Sequence, residues 1–369
     1  MKPALFTIVV LAVLFGIIAA GVLREQKTIS DGGKPIIRIG ATLPLTGDVA
    51  FAGIPAQKAI RLALDDIKAE KNLKYDYELV FENDQMTLKQ GILNAIRLKS
   101  LNNINAILSM WLVSPGLTDW ANKNQVIHMG CSWGYQTARG LYNFNHCNFP
   151  EEQTALLIRA LKERNISRIG IAHHVTKTHE ELVQFIAPEL KKAGIEVVFK
   201  TAFYHSIRDF RIDIEKMKGK NAEIVLVLMD YPGLVIFAKQ VKEQGYQVPL
   251  TTFEDFNSYP EYFEGYWFIA DAVGTAAFME TFNARTREKS QSCTANLYDG
   301  LRILVEGYEK TPVREGHLIP ANEDVAQTIL NLKNIRSVMG DVRMDADGNI
   351  HVQPVLRKIK NGKVVGIDD

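Results

Sequence analysis

The chain has 369 residues, 43 basic against 42 acidic, a formal charge of +1 and 47% hydrophobic residues. A near-zero balance without a basic cluster excludes nucleic acid as a partner, because neutralising phosphates needs a surplus or a stripe of cations. The length is generous for one hydrophobic core and comfortable for two.

Lys2 precedes an uncharged run from Ala4 to Leu23, which Arg24, Glu25 and Lys27 bring to an end. The small trio Ala19-Ala20-Gly21 suits signal peptidase, yet the run is also nearly long enough to span a bilayer. Either way export is expected, with residues 1–24 a cleaved signal peptide or a retained anchor through residues 4–23. No cysteine directly follows the run, which excludes a lipoprotein anchor, and residues 25–35 read as a polar tether.

Ile36, Ile37, Ile39 and Ala41 read as a strand, closed by Pro44 and Gly47. From about Pro55 the apolar spacing becomes helical through Ile60, Leu64 and Ile67. A strand, a glycine-containing loop and a helix open a doubly wound α/β domain. The loop has neither G-x-G-x-x-G nor a P-loop, so it is no phosphate cradle. Strands at Tyr77–Phe81, Ala106–Met110 and Val126–Met129 alternate with helices at Leu88–Leu101 and Leu117–Lys123, and such βα repeats give a parallel sheet. Tyr142–Pro150 reads as irregular and aromatic, a place for the chain to cross between lobes. A second series follows, with strands near Arg168–Ala172, Glu196–Lys200, Glu223–Leu228 and Pro249–Thr252, again alternating with helices. Thr294–Tyr308 and Asp324–Leu332 are helical, and Asp347-Gly348 and Asn361-Gly362 mark turns between β-rich runs at the tail.

The run GATLPLTGDVAFAG from Gly40 to Gly53, its following helix and the VMG…D..GN pattern from Val338 together resemble the extracytoplasmic solute-binding proteins of the branched-chain amino-acid (Leu/Ile/Val-binding) family. The resemblance implies an α/β type I periplasmic binding fold: two doubly wound parallel-sheet lobes with three hinge crossings, near Phe149, Gly274 and Gly340. Lobe 1 would comprise residues 36–149 and 275–340, and lobe 2 residues 150–274 and 341–369. It also implies a monomer that closes on a small organic ligand and is read by an ABC permease, with no cofactor and no catalysis.

Ligands of open parallel sheets sit beyond the carboxyl ends of the strands. Those positions are Thr46-Gly47, Asn83-Asp84-Gln85, Trp111 to Ser114, Cys131-Ser132-Trp133, His173 to Thr178, Asp230-Tyr231 and Glu254-Asp255. Hydroxyls, aromatics and carboxylates without arginine can accept from an ammonium group, stack on an apolar body, and hold a carboxylate through hydroxyls and helix N-termini. The resemblance puts Ser114 and Ser132 on the ligand carboxylate, Glu254 on its ammonium and Tyr231 over its body. Ser114 could equally cap the helix behind it, and Glu254 could be a solvated loop acid. Phe51 stands beside Ala52, where amino-acid binders carry an aromatic. Trp111 and Trp133 add bulk that suits an aromatic or flat ligand, or else pack between loops.

His173, His174 and His179 lack the spacing of a helix-borne metal site and a completing carboxylate, so no metal is expected and a protonation-sensitive loop is preferred. Of the cysteines at 131, 147 and 293, the first two are the closer pair for a disulfide, and three half-buried thiols are the alternative. No Ser-His-Asp set or G-x-S-x-G declares itself. A membrane-anchored sensory ectodomain is the second reading, and an exported enzyme of doubly wound fold the third.

Overall fold

The computed structural model describes residues 28–253 and 260–366. The N-terminal apolar run, Glu254 and Asp255 therefore lie outside the described residues, and no helix among those described is long and apolar enough to cross a membrane.

The chain opens with β1 (Ile36–Leu43), α1 (Ala50–Glu70), β2 (Asp76–Asn83), α2 (Leu88–Asn102), β3 (Ala106–Met110), α3 (Val113–Asn124), β4 (Ile127–Cys131) and β5 (Asn143–Cys147). It continues with α4 (Pro150–Glu163), β6 (Arg168–His174), α5 (Lys177–Lys192), β7 (Glu196–Phe203), α6 (Arg211–Lys218), β8 (Ile224–Leu228), α7 (Gly233–Glu243), β9 (Leu250–Thr251) and β10 (Trp267–Ala270). The last stretch holds α8 (Ala276–Thr286), α9 (Thr294–Lys310), α10 (Asn322–Leu330), β11 (Val342–Met344), β12 (Asn349–Val352), β13 (Val355–Lys360) and β14 (Lys363–Gly366).

One sheet has seven strands in the order β11-β12-β5-β4-β3-β1-β2, parallel except for the β11 edge. Strand β1, IIRIGATL, lies between β3 and the β2 edge and is buried at every position, as expected for a strand covered by helices on both faces. On one face α1 and α9 pack with Ile60, Leu64, Leu301 and Leu304; on the other α2 and α3 pack with Ala95, Leu98 and Leu117. The second sheet, β7-β6-β8-β9, is wholly parallel. Phe210 and Phe237 fill one side of it, and Leu157, Leu161 and Ile186 the other. The antiparallel set β10-β13-β14 adjoins it through the Ile269 N–H, which donates to the Thr252 carbonyl at 3.0 Å. Each lobe is thus a three-layer sandwich with its own core.

Three points differ from the sequence reading. Residues 143–147 form β5, because Asn143 and Asn145 turn inward and spend their amides on His128, Ser132 and Gly134, which disguises the strand as a polar loop. The chain stays in the seven-stranded sheet beyond Gly340: β12 pairs in parallel with β5, and the passage to the other lobe falls at Gln353-Pro354. The disulfide joins Cys131 to Cys293, with Cα atoms 5.8 Å apart and 162 residues between them in sequence, and Cys147 is a buried free thiol whose pKa burial pushes up.

Candidate functional site

The carboxyl ends of both parallel sheets face a cavity of about 460 Å³. Its apolar wall includes Trp111, Leu112 and Trp133 from the first lobe and Leu182, Leu228 and Phe253 from the second. Its polar wall is Ser132, Thr176, Thr178, His179 and Asp230, with neither lysine nor arginine lining it among the described residues.

Each wall is held from behind. Trp111 sits at φ 50° directly after β3, its N–H donating to the Cys131 carbonyl at 2.7 Å and its Nε1 to Ser292 Oγ at 3.3 Å. The Cys131–Cys293 bridge therefore pins the two loops that carry Trp111 and Ser132 to the start of α9. Ser132 donates its N–H to Asn145 Oδ1 at 3.0 Å, and its hydroxyl lies 2.5 Å from that of Thr137. Trp133 reaches across the cleft: its Nε1 donates to Gln153 Oε1 on α4 at 2.7 Å, and its ring packs on the core of the second lobe. On that lobe Thr176 caps α5 by accepting the His179 N–H at 3.2 Å, and its hydroxyl is 2.8 Å from His179 Nδ1.

Of the residues expected at the site, Trp111, Ser132 and Trp133 come together here, joined by Leu112, Thr176, Thr178 and Asp230 from the strand-end positions. Ser114 does not. It is fully buried on the first turn of α3, its hydroxyl 2.8 Å from Ser109 Oγ, which in turn lies 2.7 Å from His128 Nε2. Burial pushes the His128 pKa down to about 4, partly opposed by its bond to Asn143, so this internal chain is neutral. Asp84 is also fully buried, with Oδ1 accepting the Met86 N–H at 2.8 Å and Oδ2 the Thr42 hydroxyl at 3.2 Å. Burial raises its pKa against those two bonds, and its work is to shape the turn after β2. Phe51 and Tyr231 are exposed, at 58% and 60%, and neither lines the cavity. Met86, Pro115, His179, Leu182 and Phe253 line it without having been anticipated; Phe253 alone carried a signal, standing next to Glu254.

The histidines of the second lobe do gather with a carboxylate. His174, His205 and Asp230 each place one ligating atom within 4.8 Å of the others, which sequence spacing did not suggest. Burial opposes ionisation of Asp230, but the His174 hydrogen bond and the charges of His179, His174 and His205 hold its pKa below the ordinary carboxylate value. Burial lowers the pKa of His179, opposed by Asp230 and reinforced by the neighbouring imidazoles.

The passages between lobes are tied together. Asn148 Nδ2 donates to Asp271 Oδ1 at 2.5 Å, linking the first passage to the second. His351 on β12 stands between Glu152 Oε1 of α4, 2.8 Å from Nδ1, and Asp345 Oδ2, 3.1 Å from Nε2.

Two α/β lobes with a lined cleft between their strand ends define a two-lobed solute-binding protein. A family model described as "Periplasmic binding protein" matches residues 36–356, and the chain belongs to that family. It is similar to the Leu/Ile/Val-binding protein homolog 8 of Brucella abortus, 23% identical over 309 residues that cover 79% of this chain and 75% of the relative. Homolog 7 of Brucella suis is 22% identical over 320 residues, covering 81% and 77%. Among solved structures, the substrate-binding protein LivJ of Streptococcus pneumoniae in complex with isoleucine superposes with a TM-score of 0.76 at 18% identity, over 89% of this chain and 97% of that one. The leucine-binding protein LivK of Thermotoga maritima gives 0.75 at 20% identity, over 90% and 99%. At these identities the structural likeness speaks for the fold.

Proposed function

We propose that this protein captures a small organic solute outside the cytoplasm, an amino acid or an aromatic or amide-like compound, and presents the closed complex as a monomer to an ABC permease without altering it. The observation that carries this reading is the cavity itself, whose lining comes from the strand ends of both lobes. A solute bridging them would favour the closed form by its added contacts there. The relatives named for leucine, isoleucine and valine, and the neighbours bound to such ligands, support the amino-acid class.

The chemistry of the walls narrows the ligand. Trp111, Trp133, Leu182 and Phe253 suit a hydrophobic or flat body, and the Ser132, Thr176 and Thr178 hydroxyls can donate to a carboxylate. Glu254, next to Phe253 in sequence, is proposed to accept the ammonium, as the family resemblance implies. A thermal-shift screen of amino acids and aromatic carboxylates, followed by calorimetry, tests the reading: a saturable one-site ligand is expected, and detectable turnover of that ligand would replace binding with catalysis.

The apolar run Ala4–Leu23 sustains a second reading, an anchored sensory ectodomain built on the same lobes. Fractionation with N-terminal sequencing separates the two. A mature start near Val22 supports a free binder, and intact Met1 in the membrane supports an anchored one.

A further inference from the structure

We propose that His174, His205 and Asp230 form a binding site for a divalent transition-metal ion on the second lobe, at the wall of the cleft. The three arrive from separate strand ends: His174 closes β6, His205 follows β7 and Asp230 follows β8. The sheet, not a local turn, sets their approach. His174 Nδ1 lies 3.5 Å from Asp230 Oδ2, and the His174 and His205 rings are 4.9 Å apart at 54°. One ligating atom from each of the three fits within 4.8 Å of the others. His179 supplies another imidazole, its Nε2 3.9 Å from Asp230 Oδ1.

Two imidazoles and a carboxylate are the donor set of Zn²⁺ sites that keep an open coordination position, at bond lengths of about 2.0–2.2 Å. Closing the present spacing onto an ion takes a small inward movement, and His205, exposed on its loop, has the freedom to make it. His174 is wholly buried, and its Nδ1 is the ring nitrogen that faces Asp230. Gly233 admits that ring, since a Cβ there would come within 2.6 Å of Nε2. The Thr176 hydroxyl at His179 Nδ1 and the Asp230 N–H at His174 Nδ1 orient the two imidazoles; the second of these contacts would yield to an ion at Nδ1. Because Asp230 and His179 both line the cavity, the open position would face the solute. This site stands whichever organic solute the cleft accepts.

The test is calorimetric titration of ZnCl₂ into the metal-stripped full chain, with Co²⁺ visible absorption as a geometric readout. One equivalent should bind, and both His205→Ala and Asp230→Asn should weaken it by about a hundredfold, the upper end of what losing even a supporting partner costs. His317→Ala, on an exposed loop of the first lobe, should bind as the wild type does. Absence of saturable one-site binding to the wild type, or wild-type affinity retained in both His205→Ala and Asp230→Asn with unchanged circular dichroism, overturns the proposal.

Discussion

Replacing His351 with glutamine should cost stability in a pH-dependent way, because that imidazole joins the start of the second lobe to the edge of the first. Its side chain is 5% exposed and that of Glu152 is 10% exposed, so neither is well hydrated. Losing one partner of a buried charged pair costs about 3–5 kcal/mol. Asp345 at 24% exposure and Arg343, 3.5 Å from Glu152, soften the loss, so about 2–4 kcal/mol is expected near pH 6. Burial alone would lower the His351 pKa below 6.5, but its hydrogen bonds to the Glu152 and Asp345 carboxylates prevail over burial and Arg343 and raise it. Its stabilisation is therefore full below the unfolded value and is lost as pH rises through the raised folded one. Glu152 and Asp345 behave oppositely. Burial would raise both pKa values, yet the His351 bonds dominate and lower them, so their share is present above the ordinary carboxylate range and is lost as pH falls through the lowered values. Tyr135 and Glu151 also face this cluster, joined to each other by hydrogen bond, and Tyr135 stacks on Phe149 beneath the imidazole. Urea denaturation of wild type and His351→Gln from about pH 5 to about pH 9 should show the gap between them shrinking on the alkaline side. Parallel profiles, or a gap under about 0.5 kcal/mol at pH 6, would refute the reasoning.

Closing a loop of 162 residues removes chain entropy worth about 5 kcal/mol at 25 °C, so Cys131→Ser with Cys293→Ser should lose about 3–5 kcal/mol in a denaturant melt and weaken ligand binding through Trp111; an unchanged midpoint would contradict this. Gly53→Ala would place a methyl 2.0 Å from the Pro44 carbonyl oxygen, a backbone atom that cannot step aside cheaply, and about 1–3 kcal/mol should be lost on thermal unfolding. Glu254→Gln should weaken an ammonium-bearing ligand by more than about 1 kcal/mol in calorimetry, and unchanged affinity would remove Glu254 from the site.

The parallel strands were legible because strands buried on both faces, such as IVLVL in β8, are continuous apolar runs, and AILSM in β3 is broken only by Ser109. The strand-end rule likewise brought Trp111, Ser132, Trp133, Thr176 and Asp230 to the cleft. What it could not supply is direction. Ser114 and Asp84 stand at strand ends, but one turns down onto Ser109 and the other back onto Met86 and Thr42. β5 was hidden by its inward-facing asparagines, and the parallel pairing of β12 with β5 joins segments some 200 residues apart. The Cys131–Cys293 bridge was missed for a related reason, since nearness in sequence was the only guide to pairing. His205 lies in the loop after β7, away from the other histidines in sequence, so only the sheet reveals that it meets His174 and Asp230.

Small-angle X-ray scattering of the full chain, titrated with the solute that gives the largest thermal shift, tests most directly whether two lobes clamp a guest. A saturable fall in radius of gyration, absent when Trp133 and Ser132 are both replaced by alanine, is the predicted result. An unchanged radius at saturation, or no solute in the screen that stabilises the protein, would contradict the account.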